Sequence, residues 1–232
     1  MHSCLINSVR HHSSLAWKLS LLVLALIISI IPASAGMAGF SYLNVTTSLT
    51  ISWSAIQNTT GYGMCPAWAT QNPNSGDIYV TGNDQNNYNT APNQPTFLEK
   101  YDAQGNRLWI IYPSANNLTT WSWTNAISHD HKAVYIAGKN ASGVGMMTKY
   151  DINGNFIWVS QTNINNYLAV IKVASNGIIY GSASSGNTVA IDPNTGVQLW
   201  KNVNSVLLQS FDMVFTSTGY IVVIGTDWTR YY

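Results

Sequence analysis

Hydrophobic residues along this chain fall into two patterns. Near the start they run almost unbroken, LSLLVLALIISII over 19–31. From residue 36 onward they come in short runs rich in Val, Ile, Tyr and Trp, interrupted every few residues by Asn, Asp, Ser and Gly. No stretch of this second part holds apolar residues at helical spacing, so it predicts strands and an all-β fold. The runs sort into four kinds. A first strand reads GMCPAWAT, WSWTNAIS, YLAVIKVA or LLQSFDMVF. After a tight turn (NPNSG, SHDHK, SNG or STG) a second reads DIYVTG, AVYIAG, IIYGSA or YIVVIG. A third ends at Asp102, Asp151 or Asp192, and a turn holding Gly105, Gly154 or Gly196 leads into a fourth that ends in Trp.

The Trp that closes each fourth strand recurs as Trp53, Trp109, Trp158 and Trp200, at separations of 56, 49 and 42 residues. Units of roughly 40–50 residues made of short antiparallel strands are the signature of propeller blades. The expected fold is therefore a β-propeller of four-stranded antiparallel blades. Complete blades are placed at about 62–112, 121–161 and 167–203, with half blades at 40–53 and 207–232. The first half supplies third and fourth strands, the second supplies first and second. Pairing them would close a four-bladed ring and remove exposed sheet edges. The alternative is a fragment of a larger propeller, in which Tyr231 and Tyr232 begin another copy of the repeat.

The repeated phrases are KYDAQGNRLW (100–109), KYDINGNFIW (149–158) and AIDPNTGVQLW (190–200). The last resembles the tryptophan-docking motif of the pyrroloquinoline-quinone-like propellers at Ala190, Asp192, Thr195, Gly196 and Trp200. The other two are one residue shorter and put Lys100 and Lys149 in place of the Ala. They are similar to bacterial and archaeal propeller repeats of the type YVTG…KYDxxGNxxW. The resemblance spans most of the chain after residue 36 and implies that the Trp clips one blade to the next. The residues independently suggest a structural role. An Asp carboxylate accepts backbone N–H groups two residues on, a Gly supplies positive φ, and a Trp can stack on a neighbouring turn.

The opening apolar run has Arg10 and Lys18 before or beside it and Ala33-Ser34-Ala35 after it, so 1–35 is expected to be a signal peptide and 36–232 the exported domain. Without Arg10 and Lys18, eight basic residues face nine acidic ones. No basic patch is available for nucleic acid, and no membrane contact is expected once the leader is removed. Cys4 leaves with the leader, and Cys65 alone cannot form an internal disulfide. The chain is expected to be secreted or held at the cell surface.

Candidate chemistry is sparse. A quinone-dependent dehydrogenase, the enzyme that the resemblance suggests, would need a larger ring, a calcium site and often paired cysteines; Glu99 is the only Glu here. His129-Asp130-His131 has metal-binding residue types, but adjacent positions on a strand point to opposite faces and the triplet aligns with turns in the other units. Asp151 to Asn155 resembles a calcium loop that lacks its distal Glu. No catalytic, cofactor or metal residues are assigned, and no cofactor is expected. Trp121 and Trp123 share one face of a first strand. Together with Tyr62, Trp68, Tyr79, Tyr135 and Tyr180 they serve either the core or carbohydrate stacking. The connections 54–61, 83–95, 113–120 and 139–144 vary between units and emerge on one face, where recognition of a protein or carbohydrate ligand is expected. Glycosylation sequons stand at Asn44, Asn58, Asn117 and Asn140, the last three on that face. The functional expectation is an exported non-catalytic binding or surface-scaffold module. The alternative is an incomplete propeller completed by another chain or by further sequence.

Overall fold

The computed structural model describes residues 6–9, 51–55, 64–84, 96–113, 121–203 and 209–226. The chain divides into two compact units, Ile6–Ala55 and a larger one comprising Ile56–Tyr232 with Met1–Leu5. In the smaller unit β1 (Ile6–Val9) pairs antiparallel with β2 (Ile51–Ala55), placing Ser8 opposite Trp53. The rest of the expected leader, and residues 40–50 of the first expected half blade, lie outside the described residues. So do 227–232.

The larger unit is built from antiparallel sheets whose strands fall where the alternation placed them. β3 (Met64–Gln71), β4 (Ile78–Asp84), β5 (Thr96–Tyr101) and β6 (Arg107–Ile111) form the first sheet in that order. The second comprises β7 (Trp121–Ile127), β8 (Ala133–Lys139), β9 (Val144–Asp151) and β10 (Phe156–Asn165). The third comprises β11 (Leu168–Val173), β12 (Ile179–Ala183), β13 (Thr188–Ile191) and β14 (Gln198–Asn202). A final pair is β15 (Gln209–Phe215) with β16 (Ile221–Thr226). The fold is all-β, no sheet closes on itself, and the described residues contain no α-helix.

Burial follows from stacking sheets face to face. Between the first and second sheets lie Tyr79, Leu98, Val134, Ile136 and Tyr150, with Trp109 and Ile111 packed against them. Between the second and third lie Tyr135, Met147, Trp158, Leu168, Ile171, Ile179 and Ile191. First strands line up in succession, β7 against β3 and β4, β11 against β7, and β15 against β11. The second and third strands of the three four-stranded sheets are buried almost throughout, whereas β16 alternates exposed and half-buried positions over its first four residues.

One expected boundary moves. The second unit, placed at about 121–161, runs on: β10 continues to Asn165 with strict alternation, burying Ser160, Thr162 and Ile164. Thr162 Oγ1 donates to the Gly145 carbonyl at 2.9 Å, so small hydroxyls serve as interior residues here. The second sheet therefore extends past 161, and only Asn166 and Tyr167 separate β10 from β11. The 139–144 connection, one of those expected to vary, is short. Asn140 Oδ1 accepts the N–H groups of Ser142 and Val144, forming a tight turn between β8 and β9.

Candidate functional site

The repeated phrase forms a clasp. Asp102 Oδ1 accepts from the N–H groups of Gln104 and Asn106, both at 2.9 Å, and its Oδ2 accepts from Asn106 Nδ2. Asp151 repeats this with Asn153 and Asn155. Asp192 accepts from the Asn194 and Thr195 N–H groups and from the Thr195 hydroxyl. The side-chain and backbone bonds from Asn106 hold the Asp102 carboxyl below its usual range, and the Thr195 N–H does the same for Asp192. For Asp151, partial burial opposes the shift, but the bonds from Asn155, Asn153 and Gly154 together outweigh it. All three carboxylates are thus turned onto their own turns.

The turn they build receives the preceding sheet. Trp158 Nε1 donates to the Pro193 carbonyl at 3.2 Å and Lys149 Nζ to the same oxygen at 2.8 Å. Tyr135 of the second strand lies tilted against Trp158, ring centroids 5.8 Å apart, under the Lys149 ammonium. The first junction repeats the pattern one unit earlier. Lys100 Nζ reaches the Ile152 carbonyl at 3.2 Å, Tyr79 OH meets it at 3.4 Å, and Tyr79 lies 6.0 Å from Trp109. In the third unit the pair is Tyr180 and Trp200 at 5.8 Å, but Ala190 stands where the others have Lys, and Trp200 is 41% exposed against 8% for Trp158.

At the loop end of the first strands three aromatic rings stack. A register shift at Trp123 leaves it stacked on Trp121 at 5.9 Å and 11°, and on Tyr167 at 5.3 Å and 23°. Lys139 Nζ caps the column 4.7 Å above the Trp121 ring. This end carries the connections expected to vary, although 56–63, 85–95 and 114–120 lie outside the described residues.

At the opposite end, where the short turns lie, a cavity of about 280 Å³ opens between β3, β7 and β11. Trp68 and Thr70 come from β3, Asn125 and Ile127 from β7, and Lys172 from β11; His129 and His131 come from the β7–β8 turn. Asn125 is 2% exposed, and its Nδ2 donates to the Trp68 and Tyr79 carbonyls, both at 3.2 Å. Its Oδ1 has no hydrogen-bond partner. Lys172 Nζ is 3.1 Å from Asp212 Oδ1.

Several candidates are thereby placed. His129-Asp130-His131 is a turn, as its alignment indicated. Asp130 Oδ1 accepts from Ser128 Oγ at 2.6 Å and from the Lys132 N–H, and the Ser128 bond lowers its pKa. His131 adopts φ 61° with its carbonyl taking Asn72 Nδ2. The two histidines nonetheless edge the cavity, which the turn reading did not foresee. Glu99 is fully buried between Arg107 Nη1 at 3.0 Å and the Tyr101 hydroxyl at 2.9 Å, a structural pairing. Tyr79 and Tyr135 are core, Trp121 and Trp123 stack together, and Trp68 lies at the other end. Asn140 is half-buried in its turn, while Asn44, Asn58, Asn117 and Tyr62 lie outside the described residues. Asn125 and Lys172 carried no sequence signal, since their role depends on which strands become neighbours.

No protein-family model matches the chain, and none of the curated proteins does. Among solved structures it is similar to a protein of unknown function from Bacteroides caccae, with a TM-score of 0.53 and 16% identity, over 78% of this chain and 59% of that one. This chain thus spans about 59% of that protein's length. At that identity the likeness is one of fold.

Proposed function

We propose that the chain is an exported, non-catalytic β-propeller module that binds a protein partner on its loop face. The successive packing of first strands and the two closed Tyr–Lys–Trp clasps support the propeller reading, with three complete blades and a fourth begun by β15 and β16. The observation that carries the binding reading is the Trp121–Trp123–Tyr167 column. Its rings stack on one another, so they offer edges rather than the free faces that sugar stacking uses. Trp123 is 38% exposed within this rigid stack, an aromatic anchor of the kind that dominates protein interfaces.

The test is quantitative affinity capture from extracts of the producing cells, comparing the wild-type chain with Trp123→Ala. A partner held by the wild type, and binding about tenfold or more weakly to a folded Trp123→Ala protein, supports the proposal. Equal capture by both overturns it. Export is checked separately: N-terminal sequencing of protein recovered outside the cell should begin near Gly36.

A second reading has its own support. The open clasp at Trp200 adjoins a largely apolar surface on β14, β15 and β16, with Leu199, Phe211, Val214, Val222 and Ile224 all more than two-fifths exposed. The third and fourth strands that would cover it come from 40–53 in the four-bladed reading, or from another chain. Analytical ultracentrifugation separates these sources. A monomer at all concentrations favours 40–53, and a concentration-dependent assembly lost in Trp200→Ala favours another chain.

A further inference from the structure

We propose that the outer edge of the second sheet, strand β10, is an interface at which two copies of this chain pair strand to strand. Each four-stranded sheet ends in an outer strand, β6, β10 or β14, and among the described residues no further strand pairs with any of them. An outer strand presents a row of main-chain N–H and C=O groups that a second chain can bond, and soluble proteins guard such rows with charge, proline or brevity. β6 and β14 have five residues each and carry a charge. Lys201 stands on β14, and Arg107 on β6 stays half exposed although it is bonded to Glu99. β10 has ten residues with neither charge nor proline, and no charged residue occurs between Asp151 and Lys172.

Contacts within the chain mark which part of this edge is open. The Asn163 N–H donates to Gln198 Oε1 at 3.1 Å, and the Asn163 carbonyl accepts from Lys201 Nζ at 2.8 Å. Both partners stand on β14, so the main chain at Asn163 is turned away from β9. Successive residues of a strand turn their main-chain groups to alternate sides. The alternation of burial along β10 is unbroken from Trp158 to Asn165. Val159 and Gln161 therefore turn their N–H and C=O groups outward as Asn163 does. Side chains of β14 close the edge at Asn163 and leave it open at these two residues.

The occupant that suits this edge is β10 of a second copy. A two-fold antiparallel pairing sets Val159 of each copy opposite Gln161 of the other, and each such pair exchanges both of its N–H···O bonds. Asn163, already bonded to β14, ends the match. Like charges set directly opposite one another destabilise a pairing. The same symmetry at β6 or β14 would bring Arg107 or Lys201 towards its own counterpart, whereas β10 brings no charge at all. Ile157 and Val159 are each more than a third exposed and gain cross-strand neighbours when the two edges join. The two sheets then form one continuous sheet, on a strand separate from both the Trp121–Trp123 column and the open clasp at Trp200.

The experiment is sedimentation velocity of the purified chain from about 1 μM to about 1 mM, with amide exchange measured at both ends of that range. A dimer should accumulate as concentration rises, and exchange in 157–162 should slow with it by about tenfold or more, while exchange in β6 and β14 stays the same. Val159→Lys should weaken the dimer by about tenfold or more. Gln161→Pro, which deletes one outward N–H and adds no charge, should weaken it as well. Leu108→Lys, an exposed change on the β6 edge, should leave it intact, as should Trp123→Ala and Trp200→Ala, so this edge and the two surfaces described above fail independently. A chain that stays monomeric throughout overturns the proposal. So does a dimer that persists in folded Val159→Lys and Gln161→Pro, or one whose β10 amides exchange at the monomer's rate. A dimer lost in Trp200→Ala but kept in Val159→Lys assigns the contact to the apolar surface on β14, β15 and β16 instead.

Discussion

Trp158 and Trp200 end the same repeated phrase, yet among the described residues only Trp158 has a turn to sit on. Its indole is almost fully buried and donates to Pro193, whereas Trp200 is two-fifths exposed. Truncating Trp158 to Ala should therefore cost about 3–5 kcal/mol, and the same change at Trp200 under about 1 kcal/mol, measured by chemical denaturation. Gly196 is the other half of that contact. Its φ is 74°, and a Cβ there would lie 2.9 Å from the Trp158 ring. Gly143 has a similar φ of 80° but open space around it. Gly143→Ala should cost about 1 kcal/mol for the backbone alone, and Gly196→Ala more, because the indole must also move. The Asp–Gly–Trp spacing disclosed this clasp in advance. The part played by Lys100 and Lys149 was hidden, since their reach to the next turn's carbonyl depends on how two sheets stack.

Among the elements, alternation located nearly every strand, and the failures share a cause. Ser, Thr and Asn end the expected second blade near 161, but β10 runs to Asn165, with Ser160, Thr162 and Ile164 all on its buried face. Small hydroxyls inside a sheet look like loop residues until a neighbouring sheet covers them. The junction between the second and third sheets can be probed at this level. Lys149→Met keeps the apolar stem and removes the bond to Pro193, so it should cost about 1 kcal/mol and speed amide exchange in the 192–197 turn. Exchange at the first junction, which uses Lys100 instead, should not change.

For the whole molecule, pH sets limits on both sides. Asp102, Asp151 and Asp192 all titrate below the ordinary value of 3.8. In the unfolded chain they bind protons first, so their contribution is present above that value and is lost as pH falls through the lower folded values. On the alkaline side burial raises Tyr135 and Tyr150 well above the ordinary 10.0. Lys100 is also raised from 10.5: burial is the largest single influence and pulls it down, but the interactions with Asp77 and Tyr79 together outweigh it. These groups keep their protons longer in the fold than in the unfolded chain, so stability is full below about 10 and declines above it. Thermal melting followed across pH should show a plateau between the acid and alkaline declines, with the alkaline decline reduced in Tyr135→Phe.

The sequence by itself determined the strand pattern, the turn chemistry and the pairing of Asp, Gly and Trp within each unit. These are local: a two-residue alternation, a carboxylate two residues from an N–H and a glycine at positive φ all act over a few residues. The tertiary structure decided which first strands became neighbours, and with that everything at the two ends of the stack. Trp68, Asn125 and Lys172 come from three different sheets, and no spacing along the chain relates them. Only when β7 lies between β3 and β11 do these three residues line one cavity. Such proximity is a property of the packed sheets.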